Sequence, residues 1–192
     1  MTPTALVLIR SPISVRLLAV FGLSVTVTLT AGVRLAHADD PCTAFTWDVR
    51  HERALFGNKP HLLTGGQTLA AAPKLAADQL YQLELKAQPE VTFLEPPGKM
   101  RGDGGAYAGL AWLTVDTAGV YRISLDQSLW VDVIVNATAV PAKDFQGRPG
   151  CNAPHKIVEF VLPARVPITL QFSGGSVATV KVTVTHSPAA TS

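Results

Sequence analysis

VATVKVTVT, residues 177–185, is the segment whose pattern indicates the fold class of this chain most clearly. It alternates valines with lysine and threonine, so that Val180, Val182 and Val184 share one side. Successive side chains of a strand point to opposite faces, and this alternation is therefore typical of a half-buried β-strand. We expect the three valines to face a core and Thr183, on the other side, to face solvent.

The same alternation recurs upstream of this stretch, throughout the C-terminal half of the chain. The alternating segments follow one another at about eight to twelve residues, a spacing typical of β-sandwiches and barrels. Short turn-forming segments, such as SGGS at 173–176, separate them. The segments are 120–125, 129–135, 157–162 and 168–172.

Strands are also predicted in the less regular N-terminal half, whereas residues 51–56 are ambiguous between a helical turn and a continued strand. The chain is therefore predicted to be all-β, an antiparallel, jelly-roll-like β-sandwich of about 8–10 strands with one disulfide. Trp47 shares a side of the first of these strands with Phe45 and Val49, which favours a core position for its indole. The N-terminal strands are predicted at 43–49, 81–86, 91–94 and 109–115.

The first residues of the chain have the three parts of a secretory signal peptide. Arg10 and Arg16 precede an uncharged run at 17–33, and Ala36-His37-Ala38 follows as an A-x-A cleavage site. This predicts a signal peptide at 1–38, a single β-sandwich domain at 39–192 and a periplasmic or secreted protein. A spanning helix needs about 20 strongly apolar residues, so no stable membrane insertion is expected after cleavage.

The charge balance argues against nucleic acid as a partner. The whole chain carries a formal net charge of +2 from 16 basic and 14 acidic residues. Removal of Arg10, Arg16 and Arg34 with the signal peptide leaves 13 basic residues against 14 acidic ones. A domain without a basic excess lacks the electrostatic attraction that nucleic acids and anionic membrane surfaces require.

Two cysteines, Cys42 and Cys151, remain in the predicted mature chain. In an oxidising compartment an even pair favours a disulfide, whereas a redox pair needs close spacing such as C-x-x-C. In the chain-entropy model, closing a loop of this size stabilises the fold by about 4–5 kcal/mol, and measured gains are often smaller.

No catalytic or metal-binding motif is recognisable, and we expect no catalytic residue, metal or cofactor. His51-Glu52 begins like the zinc-protease motif H-E-x-x-H, but Leu55 occupies the position of the second histidine. Distant histidines could still converge with a carboxylate in the fold, so an iron site of the facial-triad type stays open as an alternative.

The segment KDFQGRPGCNAPHK, residues 143–156, is the predicted ligand site. It is held by Cys151 and brings Asp144, Arg148, Asn152 and His155 within a short span. Binding residues concentrate on loops that a rigid scaffold positions. The alternative is that these polar groups only satisfy the backbone of their own loop. Tryptophans could also form a stacking platform for sugars, although core packing is the better explanation for them.

Four segments of the chain carry a family resemblance: TWDV (46–49), AGVYRISLDQSLWVDVI (118–134), DFQGRPGCNAPHKIVEFVLPA (144–164) and ITLQFSGG (168–175). They resemble a group of small exported proteins of Gram-negative bacteria, some of which carry an automatic homogentisate dioxygenase label. The resemblance covers most of the mature chain and implies an exported protein. The histidine and glutamate ligands of that iron enzyme are not visible here, so no site residue is carried over. AGVYRISL also weakly resembles the C-terminal β-sandwich domains of secreted peptidases.

Three hypotheses follow for the function. The first is an exported, non-enzymatic β-sandwich that binds a glycan, an envelope component or a protein partner. The second is a small metal-dependent enzyme of the non-haem iron dioxygenase type. The third is a structural accessory domain, which would accompany one partner.

Overall fold

The computed structural model describes residues 40–99 and 105–187, and strands dominate them. Seven residues, Arg50–Phe56, form the helix α1, and three short 3₁₀ turns span Pro41–Thr43, Leu69–Ala71 and Gln88–Glu90. The strands are β1 (His61–Thr64), β2 (Tyr81–Glu84), β3 (Lys86–Ala87), β4 (Tyr107–Leu113), β5 (Gly119–Leu125), β6 (Trp130–Val135), β7 (Thr138–Val140), β8 (Asp144–Gly147), β9 (Lys156–Leu162), β10 (Ile168–Gly175) and β11 (Thr179–His186).

The strands form two sheets, which confirms the predicted all-β sandwich. One sheet has the order β1-β2-β11-β5-β9-β8 and the other the order β3-β4-β10-β6-β7. The pairings given for the described strands are antiparallel except for β1 with β2. The chain crosses between the sheets from β4 to β5 to β6, and again from β9 to β10 to β11. These crossing segments pair in a nested way, β4 with β10 and β5 with β9, as expected for a jelly-roll-like fold.

The core lies between the two sheets and contains the valines of β11, as predicted. Val180, Val182 and Val184 are buried and pack in one cluster with Leu170 and Phe172 of β10. Eleven strands are described, one more than the upper limit expected from the sequence. The additional strands are short: β3 has two residues and β7 has three, too few for an alternating pattern to be recognised.

The outer face of β11 is not solvated, and the expectation for Thr183 is wrong. Thr183 is only 1% exposed and Thr185 is fully buried. Helix α1 contacts β11 from outside the sandwich, and Glu52 of that helix accepts a 2.8 Å hydrogen bond from Thr185. The face opposite the core is therefore covered by a segment that the alternation within β11 could not indicate.

The segment before α1 is irregular rather than the predicted strand at 43–49. The predicted disulfide between Cys42 and Cys151 is present and ties this segment to the loop between β8 and β9. Trp47 is only half-buried and lies over the guanidinium of Arg122, 4.9 Å from ring centroid to Cζ, and not in the core between the sheets. The segment thus acts as a cover for the six-stranded sheet.

Charged side chains are buried beneath this cover. The Arg122 guanidinium donates to Glu159 at 3.0 Å, to Glu52 at 3.4 Å and to the carbonyl of Asp48 at 2.7 Å. Both carboxylates and the guanidinium are at most 6% exposed. We call the five residues Glu52, Arg122, Glu159, Thr185 and Ser187 the polar layer.

Hydrogen bonding decides the protonation of the central carboxylate of this layer. Burial raises the pKa of Glu159. Hydrogen bonds from Ser187, Arg122 and Lys143 lower this pKa by more than burial raises it, so it lies below its ordinary value. Glu159 is therefore ionised at neutral pH, and the positive charges of Arg122 and Lys143 are close enough to balance it.

The described residues belong to one compact unit, Ala38–Ser192. Among them, no helix is long and apolar enough to cross a membrane. The predicted signal peptide at 1–38 lies outside the described residues, so it stays a prediction.

Candidate ligand site

The two sheets do not close on each other at the edge formed by β7 and β8. Strand β7 ends one sheet, and β8 ends the other. Between them lies a cavity of about 360 Å³ whose wall is mostly apolar. The residues of that wall are Trp130, Val131, Asp132, Ala139, Val140, Pro141, Ala142, Phe145, Lys156, Val158 and Phe160.

Phe145 faces the core side of its sheet and is nevertheless 66% exposed. It is paired with Val158 across β8 and β9, and paired residues lie on the same face. Val158 is a buried core residue, so Phe145 points toward the space between the sheets. The opposite sheet does not reach far enough to cover it, because β7 ends at Val140 and Pro141 follows.

A second cavity, of about 270 Å³, adjoins the first. The two share Trp130, Phe145 and Lys156, and we call them together the open-edge cleft, with an apolar larger half and a smaller half. The smaller half is lined by Lys99, Ser128, Leu129, Trp130, Phe145, Gly147, His155 and Lys156.

The Trp130 indole is held in a fixed position at the junction of the halves. Its Nε1 donates a 2.7 Å hydrogen bond to Asp132 Oδ1, and Asp132 Oδ2 accepts a 3.1 Å hydrogen bond from the backbone of Gly98. A Cβ at residue 98 would lie 2.9 Å from Asp132 Oδ1 and 3.1 Å from Trp130 Nε1, so a side chain there would have to displace these two groups. The ammonium of Lys156 lies 5.0 Å from the ring centroid.

Lys156 is a charged residue at a core-facing position. It precedes Val158 by two residues on β9, and residues two apart on a strand share a face. Its partner on β8 is Gly147, which has no side chain to cover it. The ammonium donates a 3.1 Å hydrogen bond to the carbonyl of Leu129 and stacks on Trp130, so its position is defined.

Of the four residues predicted as a ligand site, only His155 lines the open-edge cleft. Arg148 instead holds the N-terminal segment: its guanidinium donates to the carbonyl of Ala44 at 2.6 Å and lies over the ring of Phe45. Asp144 accepts a 2.7 Å hydrogen bond from the backbone of Phe145.

Asn152 is exposed, and His155 Nδ1 lies 3.1 Å from the carbonyl of Cys151. Asp144 and His155 thus contact backbone groups of their own loop, as the alternative expects, whereas Arg148 contacts both Gly147 within the loop and Ala44 outside it. A ligand role of the segment 143–156 stays a prediction, and the residues of the segment that line the cleft are Phe145, Gly147, His155 and Lys156.

Neither Phe145 nor Lys156 is predicted as a site residue from the sequence. One sequence feature points to this region: Trp130 and Asp132 lie two residues apart on one face of β6, and an aspartate beside a tryptophan indicates a partly exposed strand. The cleft itself depends on where the two sheets end, which the alternation within one strand does not show.

A larger cavity elsewhere, of about 480 Å³, is a weaker candidate. Two of its polar groups already have partners: Asp78 lies 2.8 Å from His51, and the Tyr121 hydroxyl donates to the carbonyl of Thr117. Burial raises the pKa of Tyr121, and the nearby carboxylates of Asp116 and Asp78 raise it further. Among the described residues that line this cavity, none has an exposed large apolar side chain like that of Phe145.

Within residues 40–99 and 105–187, no group of three or more His, Cys, Asp or Glu side chains converges as a metal site would. The hypothesis of a metal-dependent enzyme therefore gains no ligand set from this part of the chain.

Comparison of the chain with protein-family models and with curated proteins found no match. The resemblance to small exported proteins of Gram-negative bacteria stays a prediction from the segments quoted above.

Proposed function

We propose that this protein is an exported, non-enzymatic binding protein of the periplasm or cell exterior. Its ligand is an envelope component that inserts an apolar group into the open-edge cleft. The observation that carries the proposal is Phe145: an aromatic side chain that faces the core but is 66% exposed beside a cavity of about 360 Å³.

The apolar surface of the cleft supplies the driving force. Burying one large apolar side chain contributes about 1.5–3 kcal/mol, and a ligand in the larger half would cover Phe145 together with the walls from Val140 and Val158. A group rich in hydroxyls, such as a sugar ring, would find few partners on these walls. The lining therefore favours an acyl or aromatic group over a glycan.

The edge strands argue against a protein partner that adds a strand. The backbone N–H of Arg148 donates to the carbonyl of His155, so this residue pair is hydrogen-bonded across β8 and β9. Hydrogen-bonded and non-hydrogen-bonded pairs alternate in an antiparallel ladder, and Phe145, three residues before Arg148, belongs to a non-hydrogen-bonded pair. Its N–H therefore points away from β9 toward the free edge. Asp144 already accepts that N–H, and Pro141 follows the edge strand β7. Both features block strand addition.

A neutral fluorescent probe, N-phenylnaphthylamine, tests this proposal. Purified protein should bind it, and Phe145→Ser should weaken binding about tenfold, because about 1.4 kcal/mol of apolar contact is lost. Val161→Ser is the matched control, since Val161 is also exposed, at 57%, but lies outside the cleft. Thermal melts would verify that both variants fold. No binding by the wild type, or equal weakening in both variants, would contradict the proposal.

A further inference from the structure

A buried glutamine contacts an irregular segment on the outer face of the five-stranded sheet. Gln171 lies on β10 between Leu170 and Phe172 of the core, so its side chain points to the opposite, outer face. It is nevertheless fully buried. We call the segment that it contacts there, residues 91–98, the strap.

The Gln171 amide holds the middle of the strap through three hydrogen bonds. Its Oε1 accepts from the backbone N–H of Leu94 at 2.6 Å and from that of Glu95 at 3.3 Å. Its Nε2 donates to the carbonyl of Glu95 at 3.0 Å. A side-chain amide offers both a donor and an acceptor, as a backbone peptide does, so Gln171 holds Glu95 much as a neighbouring strand would.

The end of the strap contacts the wall of the open-edge cleft. The Gly98 N–H donates to Asp132 Oδ2, and Asp132 Oδ1 accepts from Trp130 Nε1. A Cβ at residue 98 would lie 3.5 Å from Trp130 Cε2, so the strap backbone also lies close to the indole ring. Asp132 is the cross-strand partner of Gln171, and the strap is therefore held at two points by neighbouring residues of the sheet.

Two prolines connect these two points of the strap. Pro96 and Pro97 lie between Glu95 and Gly98. Each proline ring fixes φ near about −65° and so leaves the connection few conformations. The position of Gly98 therefore depends on the position of Glu95.

We propose that Gln171 is a positioning residue for the open-edge cleft, although it is not among the residues that line it. By holding Glu95 it places Gly98 against Asp132, and this arrangement fixes the Trp130 indole that both halves of the cleft share. A wall that is fixed before the ligand arrives loses less entropy on binding. This inference rests on the proposed function and names a residue that sets the affinity of the same site.

Binding of N-phenylnaphthylamine to Gln171→Met tests the proposal. Methionine keeps the length of the side chain but loses its amide, so the strap should shift and the dye should bind about three- to fivefold more weakly. Gln67→Met is the control: its Nε2 donates to Glu90 at 3.0 Å, just before the strap begins. The control should change the affinity less than about twofold.

Pro96→Gly interrupts the same connection at an exposed residue and leaves the buried amide in place. Glycine frees the backbone between Glu95 and Gly98, so this variant should also weaken dye binding, by about two- to threefold. Pro167→Gly is its control, because Pro167 is exposed and does not line the cleft. If thermal melts show that Gln171→Met does not fold, the result for Pro96→Gly decides.

A double-mutant cycle separates positioning of the indole from a general loss of stability. In a Trp130→Phe background, Gln171→Met and Pro96→Gly should no longer weaken dye binding, because the group through which they act is absent. The NMR resonance of the Trp130 indole N–H should also move in both variants. That of Trp47, which lies over Arg122 of the other sheet, should stay in place.

Affinities of Gln171→Met and Pro96→Gly equal to those of their controls would overturn this inference. So would effects of the same size in the Trp130→Phe background, since they would show that the strap does not act through the indole. In both cases dye binding that depends on Phe145 would leave the proposed function standing. Failure of the wild type to bind the dye would overturn both.

Discussion

The polar layer under α1 and the open-edge cleft show opposite relations between the face of a strand and the burial of its side chains. In the polar layer, the charged groups of Arg122 and Glu159 lie on the outer face of a sheet and are almost fully buried. In the cleft, Phe145 lies on the core side of the same sheet and is mostly exposed. A residue's side of a strand therefore does not determine its burial. Its burial depends instead on whether another segment covers that side.

The difference also separates structural groups from functional ones. The charges of the polar layer are paired within the protein, as expected for buried ions that hold a segment in place. The exposed aromatic ring of the cleft has no such cover, and exposed contiguous apolar surface marks interaction sites. We therefore expect changes in the polar layer to alter stability and changes in the cleft to alter binding.

The largest expected effects come from aspartate substitutions in β11. Val182→Asp should destabilise the protein by about 4 kcal/mol or more, because the carboxylate would enter the core without a partner. Thr183→Asp should also be damaging, by about 2 kcal/mol or more, since Thr183 lies beneath the cover. Thr179→Asp is the control at an exposed position of the same strand. Urea unfolding would measure the three, and a harmless Thr183→Asp would show that the outer face is open.

Loss of the central cation of the polar layer should have the next largest effect. Arg122→Met should destabilise the fold by about 3–5 kcal/mol, because Glu52 and Glu159 lose a buried partner. Arg50→Met is the matched control: Arg50 is also paired with a carboxylate, Asp48, but on the surface. Comparable losses of stability in the two variants would refute a special role for the buried pair.

The disulfide should contribute to stability by restricting the unfolded chain. Cys42→Ser should lower the stability by about 2–4 kcal/mol, since the bond links residues 109 positions apart. Reduction of the wild type under native conditions should have a similar effect on its melting temperature. A variant that melts at the same temperature as the oxidised wild type would contradict this prediction.

Two neighbouring threonines should respond differently to valine. Thr185→Val removes the hydroxyl that donates to Glu52 and should cost about 1–3 kcal/mol. The hydroxyl of Thr183 is buried and has no hydrogen-bond partner among the described residues, so Thr183→Val should be neutral or stabilising. The reverse order of stabilities would show that the hydrogen bonding of the layer differs from that described.

The sequence predicts the fold well where one strand carries its own signal. The alternation in β11 correctly placed Val182 in the core, and the two cysteines correctly predicted their disulfide. The burial of Thr183 and the exposure of Phe145 could not be predicted in this way, because each depends on a segment outside the strand itself. Helix α1 contacts β11 from outside the sandwich, and the short strand β7 does not extend over Phe145. The contacts of Arg148 with Ala44 and Phe45 could not be predicted either, because they join parts of the chain about 100 residues apart.

An NMR titration of the wild-type protein with N-phenylnaphthylamine, followed through the backbone amides, locates the binding site directly. We expect the largest shifts around the open-edge cleft, at Ala139, Phe145 and Gly147, while Arg122 and Thr185 of the polar layer change little. Shifts concentrated instead in the polar layer, or around Asp78 and Asp116 in the other cavity, would contradict the claim that the uncovered edge is the binding site.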